Sequence, residues 1–423
     1  MSGDSVERTA VVVYHSSPLP EPGSGDAGGM TVYVRAVATA LADRGVKTDI
    51  FTRATSEGPV VVEWYPGVRV ISIEAGPLEP IAKEEHRRYI PEFAAGIRAF
   101  AMAEGILYDI VHSHYWQSGV AAMELARAWS VSHVHSHHTL GKVKNSYLAP
   151  GDEPEPQSRL DGEDDVIRSA DVLVASTDDE WRHLACLYLA DHDKLKTIHP
   201  GVDRALFHPG DRGSDRVRLG LGDEAVLLYV GRIQRLKGID LAISAFAELV
   251  PALDRDVRFV IVGGASGPYG EIELERLKEL ASRLGVASKV RFEGPQPHEK
   301  LPTYYRAADA VLVCSHSESF GLAALEAHAC GTPVVGTPVG GLSYIVADGA
   351  SGFLSESRDP TEFAGRLKTL LSDDDLRRDF GVCAVERAAT FSWATTASEF
   401  HELYDRLMKE SLADEGLEKT CTC

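Results

Sequence analysis

Long apolar runs are missing from these 423 residues. No stretch approaches the roughly 20 apolar residues that a membrane-spanning helix needs, so no membrane partner is expected. The opening segment, MSGDSVERTAVVVYHSS, lacks the basic start and long apolar core of a secretion signal. A cytoplasmic protein is the expectation. Positive charge is also short. Lys and Arg number 43 against 63 Asp and Glu, a formal net charge of −20, which argues against broad binding to nucleic acid or anionic lipid. A local basic pocket for an anionic small molecule stays compatible with it. Cysteine is scarce, with six in the chain. Cys186, Cys314, Cys330 and Cys383 have apolar neighbours and read as small buried thiols. Cys421 and Cys423 offer two sulfurs on a polar tail, too few for a closed zinc site, and residues 413–423 read as disordered.

What is present is a regular alternation. Apolar, β-branched runs at 10–14, 47–52, 68–73, 108–114, 132–136 and 171–176 are separated by helix-length segments. A second series follows at 225–231, 257–264, 289–294, 310–315 and 332–336. Near-continuous apolar strands between helices predict parallel sheets covered on both faces. Two doubly wound α/β domains are therefore expected, at 1–200 and 201–395, with Pro and Gly clustered at the seam in IHPGVDRALFHPGD (198–211). Phe400, Leu403, Tyr404 and Leu407 recur at helical spacing, predicting a closing helix over 396–412 that packs back across a domain.

Ligands of open parallel sheets bind beyond the carboxyl ends of strands, and the unusual residues fall there. Gly25, Gly28 and Gly29 precede a helix beginning near Met30, a turn that can offer backbone N–H groups to phosphate or serve as a plain surface loop. Its spacing is read as not G-x-G-x-x-G, which argues against a nicotinamide cofactor. His112 and His114 share one strand face, as do His133, His135 and His137. No acidic or cysteine partners stand near them, so core histidines are favoured over zinc, with Tyr115 and His138 at strand ends pointing into a cleft. Arg232 and Lys237, in VGRIQRLKG, suit a diphosphate. Glu318 and Glu326 stand eight apart in ESFGLAALE. Their carboxylates can accept from ligand hydroxyls while the N–H groups of Ser319, Phe320, Gly321 and Leu322 face phosphates between them.

The E-x7-E pattern, with GRIQRLKG before it and GTPVVGTPVGG after it, resembles the family 4 retaining glycosyltransferases over nearly the whole chain. HSSPLPEPGSGDAGGMTVYV, IFTRAT, YDIVHSHYWQSG and HTLGKVKN are more narrowly similar to the inositol-phosphate N-acetylglucosaminyltransferases of mycothiol biosynthesis. The resemblance implies the GT-B fold: two Rossmann-like domains facing across a cleft, with the C-terminal helix packing back on the N-terminal domain. It implies a nucleotide-sugar donor, UDP-GlcNAc, and a small phosphorylated acceptor such as inositol phosphate. It assigns the donor phosphates to Gly29, Arg232 and Lys237, the donor sugar to Glu318, the ribose to Glu326, and His138 to the side of the transferred sugar. The acceptor phosphate falls to Lys83, Tyr115, Thr139 and Arg159, with His15 near the acceptor ring. It further implies that no cofactor is required for catalysis, that any Mg²⁺ is structural (near Tyr305, Arg306 and Thr332), and that domain closure assembles the site. A homodimer is compatible with it.

Two departures stand out. Thr31 replaces the family's Asn in G-G-M-N, and RLDGEDD replaces the more usual segment after the acceptor-site Arg. A shorter side chain with one hydrogen-bonding group instead of two leaves open a different sugar phosphate, cyclitol or small thiol. A nucleotide-sugar epimerase and a non-catalytic binding module share the two-domain plan, and a dehydrogenase is the weakest reading.

Overall fold

The computed structural model describes residues 5–20, 28–81, 85–267 and 269–420, with side chains described as far as Ser411. The first strand set comprises β1 (Arg8–Val12), β2 (Lys47–Arg53), β3 (Val61–Tyr65), β4 (Val68–Ile73), β5 (Ile110–His114), β6 (Ser132–Ser136), β7 (Val172–Ala175) and β8 (Leu195–Thr197). They form one sheet in the order β3-β4-β2-β1-β5-β6-β7-β8. The second set comprises β9 (Ala225–Val230), β10 (Val257–Val262), β11 (Val290–Gly294), β12 (Ala310–Val313), β13 (Val334–Gly336) and β14 (Gly352–Leu354), in the order β11-β10-β9-β12-β13-β14.

Every pairing is parallel except β3 with β4. That hairpin turns on Pro66 and Gly67, whose φ is 81°. The order of winding reverses at β1/β5 in the first sheet and at β9/β12 in the second. Each sheet buries an apolar layer on both faces. β9, β10 and β12 send alternate residues (Leu227, Phe259 and Leu312; Leu228, Val260 and Val311) into two separate cores.

The closing helix, Trp393–Thr420, lies on the first sheet. Phe400, Leu403, Tyr404 and Leu407 join the core of Val11, Val34 and Val134, and the Tyr404 hydroxyl lies 2.7 Å from His112 Nδ1. The helix is longer than its apolar spacing suggests, running to Thr420 instead of giving way to a disordered tail at 413. Its extension, LADEGLEKT, is rich in good helix formers. Cys421, Cys423 and Lys83 lie outside the described residues. Cys314 and Cys330 are buried as expected, but Cys186 is exposed and Cys383 half-buried. Both sit on helices whose apolar stripe points elsewhere. Among the described residues no helix is long and apolar enough to cross a membrane.

Candidate active site

A cavity of about 480 Å³ opens between the two sheets. Its second-lobe wall includes the loops after β9 and β12, with further residues from the segments after β10, β11 and β13. A short 3-10 turn, Arg235–Lys237, follows β9 and carries Lys237 over the cavity. Lys237 Nζ donates to Glu318 Oε2 at 2.7 Å, and the Ser315 hydroxyl approaches the same oxygen at 3.3 Å. Gly321, at φ 99°, turns the chain into the helix Leu322–Ala329, so the first amides of that helix are free of intrahelical acceptors.

Glu326 sits one helical turn further in, buried. Its carboxylate accepts from the Tyr305 hydroxyl at 2.9 Å and pairs with His298 Nε2 at 2.7 Å. Burial lowers the affinity of His298 for its proton, but the Glu326 carboxylate beside it outweighs this and leaves its pKa raised. Burial also pushes the Tyr305 phenol far above its ordinary value. The two acids are thus partnered, which answers how a carboxylate is tolerated beside the core.

The turn bearing Glu318 is backed by two glycines. A Cβ on Gly341 would lie 1.9 Å from the Phe320 carbonyl oxygen, and one on Gly340 would lie 1.7 Å from that of Glu318. Gly341→Ala must therefore push the 318–320 backbone towards the cavity. A shift of about 1 Å at reacting groups costs about 100-fold in rate; turnover measured beside a circular-dichroism control should fall by that order while the fold persists.

On the facing lobe, Gly28 abuts Arg232, with only 3.3 Å from a Gly28 Cβ to the guanidinium Nε, while Gly29 lies against Leu322. Gly23, Gly25 and Gly28 do have G-x-G-x-x-G spacing, contrary to the reading of this loop as lacking it. Position separates it from a dinucleotide turn, since β1 ends at Val12, well before Gly23. His138 follows β6 with φ 60°. Its carbonyl accepts from the Ser319 hydroxyl of the other lobe, and its Nε2 lies 2.9 Å from His114 Nδ1. Burial pulls its pKa down to about 4, so the ring is neutral.

The acceptor candidates cluster beside it. Arg159 lies over the Tyr115 ring at 5.1 Å, His15 packs on that ring at 4.7 Å, and Arg159 Nη2 donates to the Thr139 hydroxyl at 3.1 Å. Tyr115 takes φ 71° to turn out of β5. Of this set Thr139 lines the cavity; Arg159 is buried behind two carboxylates, Glu155 at 2.9 Å and Glu163 at 2.7 Å. Thr31 is buried with its hydroxyl 3.3 Å from that of Ser16, and it does not line the cavity wall. Near the expected Mg²⁺ position, the Thr332 hydroxyl occupies the Tyr305 carbonyl at 2.6 Å and Arg306 holds Asp215 at 2.6 Å. No group of three His, Cys, Asp or Glu side chains among the described residues is placed to hold a metal.

Sequence reasoning gave no role to Glu155, Glu163, Lys144 and His298. His298 comes from PQPHEK, which reads only as a turn, and Glu155 stands between Pro154 and Pro156, with no strand or helix period. Glu163 lies on the helix Gln157–Ser169, among enough other acids that nothing in the sequence singles it out.

Two domain families match. Residues 28–201 match the glycosyl transferase 4-like domain and residues 211–386 match the glycosyl transferases group 1 domain. D-inositol 3-phosphate glycosyltransferase 2 of Catenulispora acidiphila is 47% identical over 409 residues, covering 95% of this chain and 96% of that protein. The chain is a group 1 glycosyltransferase of the D-inositol 3-phosphate glycosyltransferase family. The D-inositol 3-phosphate glycosyltransferase of Frankia alni is 48% identical to this glycosyltransferase over 389 residues, covering 90% of this chain and 95% of that one. Among solved structures, sucrose-phosphate synthase of Thermosynechococcus elongatus superposes with a TM-score of 0.88 at 31% identity, covering 96% of this chain and all of that one. The fold is GT-B.

Proposed function

We propose that this glycosyltransferase moves a sugar from a nucleotide sugar, UDP-GlcNAc by preference, to a small phosphorylated acceptor of the inositol-phosphate type, with retention at the anomeric carbon. The observation that carries this reading is the pairing of Lys237 with Glu318 at the cavity wall, opposite Thr139 of the other lobe. A donor diphosphate would take over Lys237 and Arg232, the sugar hydroxyls would take over Glu318, and the ribose hydroxyls would meet Glu326. The amides of Ser319 to Leu322 would face the phosphates. On the acceptor side Arg159, Tyr115 and Thr139 would hold the phosphate, helped by Lys83, with His15 by the ring.

In such a site the acceptor oxygen bonds to the anomeric carbon as the bond to the diphosphate breaks. The hydroxyl proton passes to the departing diphosphate oxygen on the same face, so no protein nucleophile is needed. Arg232 and Lys237 stabilise charge as it gathers on the leaving group, which lets transfer run without a metal. Neutral His138 borders the sugar. Thr31, buried with its hydroxyl 3.3 Å from that of Ser16, offers one hydrogen-bonding group where an Asn would offer two, which supports an acceptor ring held by fewer polar contacts from this position.

The test is incubation with a panel of nucleotide sugars and phosphorylated cyclitols, read by mass spectrometry. Transfer from UDP-GlcNAc to a phosphorylated cyclitol is expected. Conversion of donor without any acceptor would instead identify an epimerase, and no reaction with any phosphorylated acceptor would overturn the acceptor assignment.

A further inference from the structure

Arg159 carries two carboxylates, and they are not alike. Glu163 is fully buried and fixed on every side: it accepts from the Gly141 amide at 2.9 Å, from the Tyr188 hydroxyl and from Arg159. Glu155 ends an irregular segment ahead of the helix Gln157–Ser169, and its side chain is 19% exposed. Its carboxylate bridges two cations, Arg159 at 2.9 Å and Lys144 at a short distance, and its amide is tied to Asn145 Oδ1 at 2.7 Å. Burial would raise its pKa, but Arg159 and Lys144 hold it below the usual carboxylate range, so it is an anion. Lys144 itself lines the cavity, whereas Arg159 does not.

A carboxylate spanning a guanidinium and an ammonium makes the same contacts as two oxygens of a phosphate. We infer that Glu155 fills the acceptor-phosphate position as an internal anion, and that Lys144 is a further phosphate ligand, which exchanges Glu155 for the phosphate when the acceptor displaces that carboxylate. Glu163 stays in place, orienting Arg159 and fixing its plane. The inference rests on the proposed function, because it supposes that Arg159 meets an acceptor phosphate. It adds a specificity element: an acceptor must bring enough negative charge to displace Glu155, so a neutral cyclitol would bind poorly.

Inorganic phosphate, titrated calorimetrically into the full-length enzyme with UDP saturating the donor side, reads the site directly. Glu155→Gln, which keeps shape and removes charge, should tighten phosphate binding about tenfold, and Lys144→Met should weaken it about tenfold. Glu155→Asp, charged but shorter, should fall between Gln and the native residue. If Arg159→Met abolishes phosphate binding while Glu155→Gln leaves it unchanged or weaker, Glu155 is a structural prop and this inference fails alone. If Arg159→Met has no effect, or neither the native enzyme nor Glu155→Gln binds phosphate, the acceptor assignment fails and takes the inference with it.

Discussion

Between pH 6.5 and pH 5 the N-terminal lobe should lose most of its stability. His112, His114, His133 and His135 lie on two adjacent parallel strands, His137 directly follows the second, and all five are buried. Their rings bond to one another and to hydroxyls: His112 to Ser136 at 3.0 Å, Ser113 to both His133 and His135 at 2.6 and 2.7 Å, and His135 to His137 at 3.3 Å. Burial, aided by the neighbouring rings, pulls the pKa of His112 to about 3. Burial does the same for His133, and for His137 with help from Arg159. His114 and His135 fall well below the ordinary value for the same first cause.

A histidine with a lowered native pKa binds its proton more readily in the unfolded chain. Its contribution is therefore complete above pH 6.5 and is lost as pH falls toward the native value. At pH 5 each such group costs about 2 kcal/mol. The three that fall to about 3 together reach about 6 kcal/mol, comparable with a whole domain's stability, and His114 and His135 act in the same direction. His133 Nδ1 and His137 Nε2 are buried without a hydrogen-bond partner, so protonation there would add a buried donor facing no acceptor. Circular dichroism and tryptophan fluorescence across this range should show a cooperative transition near pH 5. A native spectrum persisting to pH 4 would mean that the cluster takes up protons without unfolding.

Lys237→Ala should lower kcat by about 100- to 1,000-fold, the usual cost of removing one group that stabilises charge in the transition state. Affinity for UDP should change far less, because Arg232 and the amides of the 319–322 turn remain. The loss would also leave Glu318 without its 2.7 Å cation, so an Arg at 237, tested in parallel, separates charge from placement. Steady-state kinetics beside UDP calorimetry decide the matter. An equal drop in kcat and in UDP affinity would place Lys237 in ground-state binding and remove it from the chemistry.

The strands that were legible in the sequence are those buried on both faces. β9, β10 and β12 announce themselves as AVLLYV, VRFVIV and AVLV because neither face meets water. β3 is half-exposed at the sheet edge, and β8 and β14 are three residues each, too short to show a period. Glu318 and Lys237 could be found because each follows a strand end and belongs to a spaced motif. The partners of Glu326 could not, since His298 and Tyr305 lie 28 and 21 residues away in sequence, and only folding brings them together. Thr31 was visible as a departure from a pattern, but its burial against Ser16 depends on how the first helix seats on the first sheet.

The helix Trp393–Thr420 makes the two lobes inseparable at their sequence boundary. Severing the chain near Gly201 would strip Phe400 and Tyr404 from the first half, opening a greasy trough under β1 and depriving His112 of its phenol. The second half would drag the same apolar stripe into water. Anyone wishing to isolate either lobe must graft residues 393–411 onto the fragment that ends at 200.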